Sequence, residues 1–127
     1  MVRGIRGATT VKKNKTEDII SATVELLKKM EKVNEYTPDE ISHVIITMTQ
    51  DLNATFPARA LRDLEGYNLV PVMCAQEIPV PDSLPNCIRI IITVNTQKSP
   101  EEIQHVYLKN AKDLRPDLSL TNKADIR

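Results

Sequence analysis

The sequence has no tryptophan, one phenylalanine, three tyrosines and three glycines among its 127 residues. So few aromatic rings cannot form the base-stacking surface with which many proteins bind single-stranded nucleic acids. The scarcity of glycine and the 41% content of hydrophobic residues argue against long disordered or low-complexity segments. A chain of this length usually forms one hydrophobic core, so we predict a single domain over residues 1–127.

The sequence also lacks an excess of charge of either sign, because 17 basic residues balance 17 acidic ones. No overall electrostatic field would therefore attract it to nucleic acid or to an anionic membrane. No apolar run reaches the roughly 18 residues that span a bilayer, and the N-terminus has no continuous apolar core of a secretory signal. We expect a soluble cytoplasmic protein without a nucleic-acid or membrane partner.

Recognisable motifs for metal or cofactor chemistry are missing as well. The two cysteines, Cys74 and Cys87, form no disulfide framework, and they show no zinc-ligand spacing with His43 or His105. The sequence has no phosphate-binding glycine loop, dinucleotide fingerprint or GxSxG turn. We therefore predict free thiols, structural histidines, and neither a metal nor a cofactor.

Strands and helices alternate along the chain. Four segments have the composition of strands: residues 2–11, 41–48, 68–75 and 88–96. An amphipathic helix is predicted from Thr16, where acidic residues follow the first position. A second helix is predicted from Pro57, closed by Gly66, and a short third helix opens at Ser99 and runs towards Tyr107.

This order predicts an α+β or α/β fold, in which helices pack on one face of a mixed sheet. The other face of such a sheet needs burial, which a trimer of sheets around a central axis would provide. The chain becomes polar after Pro116, and residues 116–127 are predicted to form a mobile C-terminal tail when no ligand is bound.

Two arginines stand out because they interrupt apolar strands. Arg89 lies in the most apolar predicted strand, on the face opposite Ile88. Arg6 shares a strand face with Gly4 and Ala8, whose small side chains leave room around its guanidinium. Each arginine can be interpreted as a fixed cation in a cleft, or as a surface side chain that reaches solvent.

Glu77 and Cys74 lie where a predicted strand meets a proline-rich loop, a common location for functional side chains. The competing interpretations are a solvated carboxylate and a small buried hydrophobic residue. Arginines, one carboxylate and one tyrosine, Tyr107, on a small sheet suit the binding and polarisation of a polyanionic small molecule. The residues by themselves lead no further.

Six segments together carry a more specific signal. They are RGIRGATT (3–10), FPARA (56–60), CAQE (74–77), CIR (87–89), HVYL (105–108) and LRPDLSL (114–120). In this order they resemble the monofunctional, trimeric, barrel-like class of bacterial chorismate mutases. The resemblance implies a homotrimeric pseudo-α/β-barrel with active sites between subunits. It also implies an enzyme of aromatic amino-acid biosynthesis that converts chorismate into prephenate without a cofactor.

The resemblance also implies roles for individual residues. Arg89 would face the ether oxygen and a carboxylate of the substrate, Arg6 and Tyr107 would hold its carboxylates, and Glu77 and Cys74 would address the ring and its hydroxyl. Arg89 and Glu77 are expected to come from neighbouring subunits. Further substrate-binding positions are Phe56, Ala58, Arg59, Arg62, Met73, Leu114 and Arg115.

Two positions depart from the family pattern, because the family often has lysine at Arg59 and threonine at Met73. These departures affect the predicted local contacts and leave the charged residues unchanged. Two alternatives remain at this point: a trimeric enamine or imine deaminase-like enzyme, and a non-catalytic sensor that binds carboxylates. Both would use arginines in a similar cleft.

Overall fold

A five-stranded sheet forms the centre of the computed structural model, which describes residues 1–114. Its strands are β1 (Val2–Thr10), β2 (Ile41–Met48), β3 (Val72–Gln76), β4 (Cys87–Asn95) and β5 (Val106–Tyr107). Their order across the sheet is β3-β2-β4-β1-β5. β4 runs antiparallel to both neighbours, whereas β3 is parallel to β2 and β5 is parallel to β1. The sheet is therefore mixed, as predicted.

The principal helix, α1 (Thr16–Asn34), follows β1 and covers one face of the sheet. Apolar residues recur at helical spacing and are completely buried, among them Ile19, Leu26 and Met30. Acidic residues occupy its first turn, where they complement the positive end of the helix dipole. The helix ends at Glu35, which adopts a left-handed conformation with a φ of 58°.

Burial differs sharply between the two faces of the sheet. The face beneath α1 is almost fully buried and consists of Ile5, Val44, Ile46, Ile88, Ile90, Ile92 and Val94. The opposite face, which we call the open face, carries Arg6 and Arg89 together with Ile45 and Ile91. Ile45 and Ile91 are each 39% exposed, so the helices within residues 1–114 cover one face only, as predicted.

The helix predicted from Pro57 is a seven-residue 3₁₀ helix, Pro57–Asp63. It contacts α1, buries Ala60 and Leu61, and exposes Arg59 and Arg62. Gly66 lies in the turn that follows, with a φ of 87° that disfavours other residues. The next strand begins at Val72, later than predicted, because backbone hydrogen bonds at Tyr67 and Val70 form successive turns before it.

The prediction of a helix from Ser99 towards Tyr107 was wrong beyond its first turn. Ser99 does form a capping box, but the 3₁₀ helix covers only Pro100–Glu102. The following chain is extended because the buried Asn34 side chain binds both backbone groups of Gln104, each at 2.8 Å. Tyr107 consequently lies in β5, a fifth strand that the sequence pattern did not predict.

Three further predictions concern the chain as a whole. Cys74 and Cys87 are free thiols, as predicted. Across residues 1–114 no helix has both the length and the apolar character required to cross a membrane. Arg115 and the predicted tail, residues 116–127, lie outside the described residues.

Candidate active site

Arg6, Arg89 and Tyr107 meet on the open face of the sheet because of its register. Ala8 of β1 pairs with Arg89 of β4 on one side and with Tyr107 of β5 on the other. Arg6 lies two residues before Ala8 on the same strand face. These residues line a cavity of about 500 Å³ together with Gly7, Ile45, Thr47, Ile90, Ile91 and Leu114. We call it the arginine cavity.

Glu77 joins this group through an ion pair. Its Oε2 lies 3.3 Å from Nε of Arg89, and the hydroxyl of Thr47 donates a hydrogen bond to the same oxygen. The Glu77 side chain is 20% exposed and that of Arg89 is 48% exposed. A guanidinium has five N–H donors, so engagement of Nε by Glu77 is compatible with ligand binding by the same group.

The ion pair corrects the expectation that Arg89 and Glu77 come from neighbouring subunits, because it forms within one chain. The strand order is the cause. Only one strand, β2, lies between β3 and β4. The backbone N–H of Glu77 donates a hydrogen bond to the carbonyl of Met48 in β2 at 2.8 Å. This bond extends the pairing beyond the end of β3 and directs Glu77 towards Thr47 and Arg89.

Cys87 lies close to this charged group, at the start of β4. Its side chain is almost fully buried, and burial raises the pKa of the thiol, an effect that Arg89 partly opposes. A buried thiol with a raised pKa is a poor nucleophile. Cys87 therefore contributes packing and not reactivity.

Phe56, Ala58, Arg59 and Arg62 form a second group, separate from the arginine cavity. They line a cavity of about 550 Å³, and Phe56 and Arg59 also line an adjacent cavity of about 720 Å³. Thr55 accepts a hydrogen bond of 3.1 Å from the Arg59 guanidinium. Phe56 is 72% exposed, which is unusual for the single phenylalanine of the chain.

Cys74 belongs to this second group and not to the arginine cavity. It pairs with Ile46, contacts the buried core, and lines the 720 Å³ cavity beside Phe56. Cys74 and Glu77 are three residues apart, so strand alternation turns their side chains to opposite faces of the sheet. The structure thus separates two residues that were expected to act on the same part of a ligand.

Two other predicted residues lie at the edges of these groups. Leu114 lines the arginine cavity and packs against a small cluster of Ala8, Tyr107 and Ala111. Met73 pairs with Ile45 at the sheet edge and is 73% exposed.

Sequence patterns did not identify the residues of β2 that complete the arginine cavity. Thr47 supports Glu77, and Ile45 forms part of the apolar wall. Alternation in the segment 41–48 places both side chains on one face, so this signal was present. The local pattern did not show that β2 lies beside β4 in the sheet. Within residues 1–114 no three His, Cys, Asp or Glu side chains form a group that could hold a metal ion.

Comparisons with known proteins show which family this chain resembles. The family model described as chorismate mutase type I matches residues 2–118. The chorismate mutase AroH of Bacillus subtilis (strain 168) is 44% identical over 126 residues, which cover 99% of both chains. The corresponding protein of Thermus thermophilus is 48% identical over 119 residues, covering 93% of this chain and 97% of the relative.

A solved structure gives the same result at the level of the fold. A chorismate mutase from Clostridium thermocellum superposes with a TM-score of 0.85 at 46% sequence identity, covering 87% of this chain and 98% of that one. These findings do not support the deaminase-like enzyme or the sensor. Because the family model and the two relatives each extend over nearly the whole chain, this protein belongs to the chorismate mutase type I family.

Proposed function

We propose that this chain is a chorismate mutase whose chemical step takes place in the arginine cavity. Family membership supplies the reaction, the intramolecular Claisen rearrangement of chorismate to prephenate. The observation that carries the assignment of the site is the convergence of Arg6, Arg89 and Tyr107 on one cavity, with Glu77 bound to Arg89. The product is a precursor of aromatic amino acids, and we expect the enzyme to be cytoplasmic.

The rearrangement needs no nucleophile and no proton transfer. In its transition state the breaking ether oxygen gains negative charge while the ring fragment gains positive charge. Fixed charges of the opposite sign stabilise this separation more than they stabilise the substrate. Arg89 supplies the cation for the ether oxygen, and Glu77 supplies a carboxylate for the ring.

Thr47 and Arg89 fix the position of Glu77 before substrate arrives. Such preorganisation matters because the charged groups need not reorient during the reaction. Arg6 and Tyr107 hold the carboxylates of chorismate in the folded conformer in which the two bonding carbons meet. Their placement on adjacent strands gives the two contacts a fixed separation.

We further propose a homotrimer with active sites between subunits. The arginine cavity of one subunit would be closed by the second group of its neighbour, which includes Phe56, Arg59 and Cys74. The open face supports this arrangement, because Met73, Ile45 and Ile91 pair across three neighbouring strands and are all exposed, and a contiguous apolar patch of this kind is typical of an interface. Burial of Ile45 and Ile91 would follow from the same assembly.

A direct assay tests the function. Purified protein is incubated with chorismate, the loss of chorismate and the formation of prephenate are followed, and size-exclusion chromatography with light scattering gives the mass of the assembly. We expect conversion well above the uncatalysed rate and a mass three times that of the chain. Conversion at the uncatalysed rate would contradict the proposed function, and a monomer with full activity would contradict the shared site.

A further inference from the structure

The His105 side chain makes an unusual contact with the backbone of β1. The backbone N–H of Arg6 donates a hydrogen bond to Nδ1 of His105 at 3.0 Å. A backbone N–H can only donate, so Nδ1 carries no proton when this bond is present. The ring therefore acts as a hydrogen-bond acceptor towards the very residue that we assign to substrate binding.

The sheet explains why a side chain fills this place. β5 consists of two residues, which pair with Gly7 and Ala8 of β1. Two residues before β5 begins, the backbone N–H and carbonyl of Gln104 both form hydrogen bonds with the Asn34 side chain. The carbonyl of Gln104 is thereby directed towards α1. If β5 were longer, a backbone carbonyl of that strand would accept the Arg6 N–H, but here the His105 ring accepts it.

This contact ties together the two residues that hold the substrate's carboxylates. Arg6 lies opposite Ile91 of β4 on one side and is bound by His105 on the other. His105 lies two residues before Tyr107, so one hydrogen bond links Arg6 to the segment that carries Tyr107. A shift of β1 at this point would change the distance between the Arg6 guanidinium and the Tyr107 hydroxyl.

We propose that His105 is a positioning residue, whose Nδ1 sets the placement of Arg6 relative to Tyr107. The inference rests on the proposed function in so far as Arg6 and Tyr107 bind chorismate. It goes beyond that function by assigning a role to a residue outside the arginine cavity. The proposed role depends on one atom of the ring, Nδ1, so substitutions can distinguish it from a role of the side chain in packing.

Two substitutions distinguish the effect of the Nδ1 acceptor from the effect of the size of the side chain. In His105→Asn the amide Oδ1 occupies the position of Nδ1 and can accept the Arg6 N–H, whereas in His105→Gln the acceptor lies one bond farther from the backbone. We expect His105→Asn to keep KM for chorismate within about twofold of wild type. We expect His105→Gln to raise KM about fivefold to tenfold, the effect of one lost hydrogen bond, with kcat changed less than KM.

Amide hydrogen exchange measured by NMR provides a readout that needs no substrate. The Arg6 amide should remain protected in wild type and His105→Asn, and should exchange at least about tenfold faster in His105→Gln. The Leu108 amide, which donates to the carbonyl of Ala8, serves as the internal control and should stay protected in all three proteins.

The outcomes separate the two proposals. If Asn and Gln variants behave alike in KM or in Arg6 exchange, or if Leu108 loses protection together with Arg6, the positioning role is overturned. If wild type shows no turnover of chorismate, the proposed function fails, and Arg6 exchange alone then decides whether Nδ1 of His105 fixes β1.

Discussion

At the scale of single residues, the surroundings of Arg89 determine what its charge can bind. Alternation directs it away from the core formed by Ile88 and Ile90, and the register then brings it beside Thr47 and Glu77. Its guanidinium can bind the Glu77 carboxylate and still donate to a ligand, because its donors point in several directions within one plane. A lysine at this position would offer a single ammonium group.

The substitution Arg89→Lys tests this point. We expect a folded protein whose kcat for chorismate is lower by at least about a hundredfold, the usual cost of one lost transition-state donor. Chorismate loss at saturating substrate is the measurement. Arg3→Lys is the matched control, because Arg3 lies on β1 but binds the carbonyl of Lys98 outside the arginine cavity. Near wild-type kcat in Arg89→Lys would contradict the assigned role.

The two cysteines should differ in reactivity. Burial raises the pKa of the Cys87 thiol, so at neutral pH it carries even less thiolate than an ordinary cysteine. Cys74 is only partly buried and lines an open cavity. We expect iodoacetamide at neutral pH to label Cys74 first and Cys87 only after unfolding, as measured by peptide mass spectrometry. Equal labelling of both in the native protein would contradict the burial of Cys87.

At the scale of elements, the position of α1 depends on a close approach to β1. A Cβ placed on Gly7 would lie 2.4 Å from Sδ of Met30 and 3.2 Å from Cδ1 of Leu26. A Cβ on Gly4 would meet only Ile91 of the open face, at an ordinary contact distance of 3.6 Å. Gly7 therefore allows the helix to pack directly on the strand that carries Arg6.

Gly7→Ala and Gly4→Ala form a matched pair within one strand. We expect Gly7→Ala to lower the free energy of unfolding by about 1–3 kcal/mol, because the Met30 side chain must shift within the core. Gly4→Ala should change it by less than about 1 kcal/mol, the range of strand propensity. Urea unfolding followed by circular dichroism measures both. Equal effects would show that the contact with Met30 does not limit the packing.

At the scale of the whole molecule, the predicted site residues of the chain form two groups that line separate cavities. Arg89 and Glu77 belong to the arginine cavity, whereas Phe56, Arg59 and Cys74 line the cavities of the second group. In the proposed trimer, one subunit would supply the first group and its neighbour the second group of each site. This division is what the proposed trimer explains.

Mixing of inactive variants tests the division. Arg89→Ala and Arg59→Glu subunits, dissociated and reassociated at equal concentration, should regain activity, because random assembly leaves about one quarter of the sites intact. Arg89→Ala mixed with Glu77→Ala should stay inactive, because one subunit supplies both residues to the same site and each subunit in the mixture lacks one of them. Exchange is verified by mixing each variant with wild type. Rescue in the second mixture, or none in the first despite exchange, would contradict the shared site.

The sequence by itself determined the features that depend on neighbouring residues. The periodicity after Thr16 gave α1, and alternation in the segment 88–96 placed Arg89 opposite the buried isoleucines. The motifs that include Arg6 and Tyr107 indicated the family. These signals repeat within one turn or one pleat, so a short stretch of sequence contains them completely.

Only the tertiary structure decided which of these residues meet. The order β3-β2-β4 brings Glu77 to Arg89 within one chain and leaves Cys74 on the other face. Tyr107 lies in a strand because the Asn34 side chain forms a hydrogen bond with the backbone of Gln104, three residues before Tyr107 and 70 residues after Asn34. Strand order and such long-range hydrogen bonds join segments that are distant in sequence. They arise from the packing of the whole chain, which no local pattern encodes.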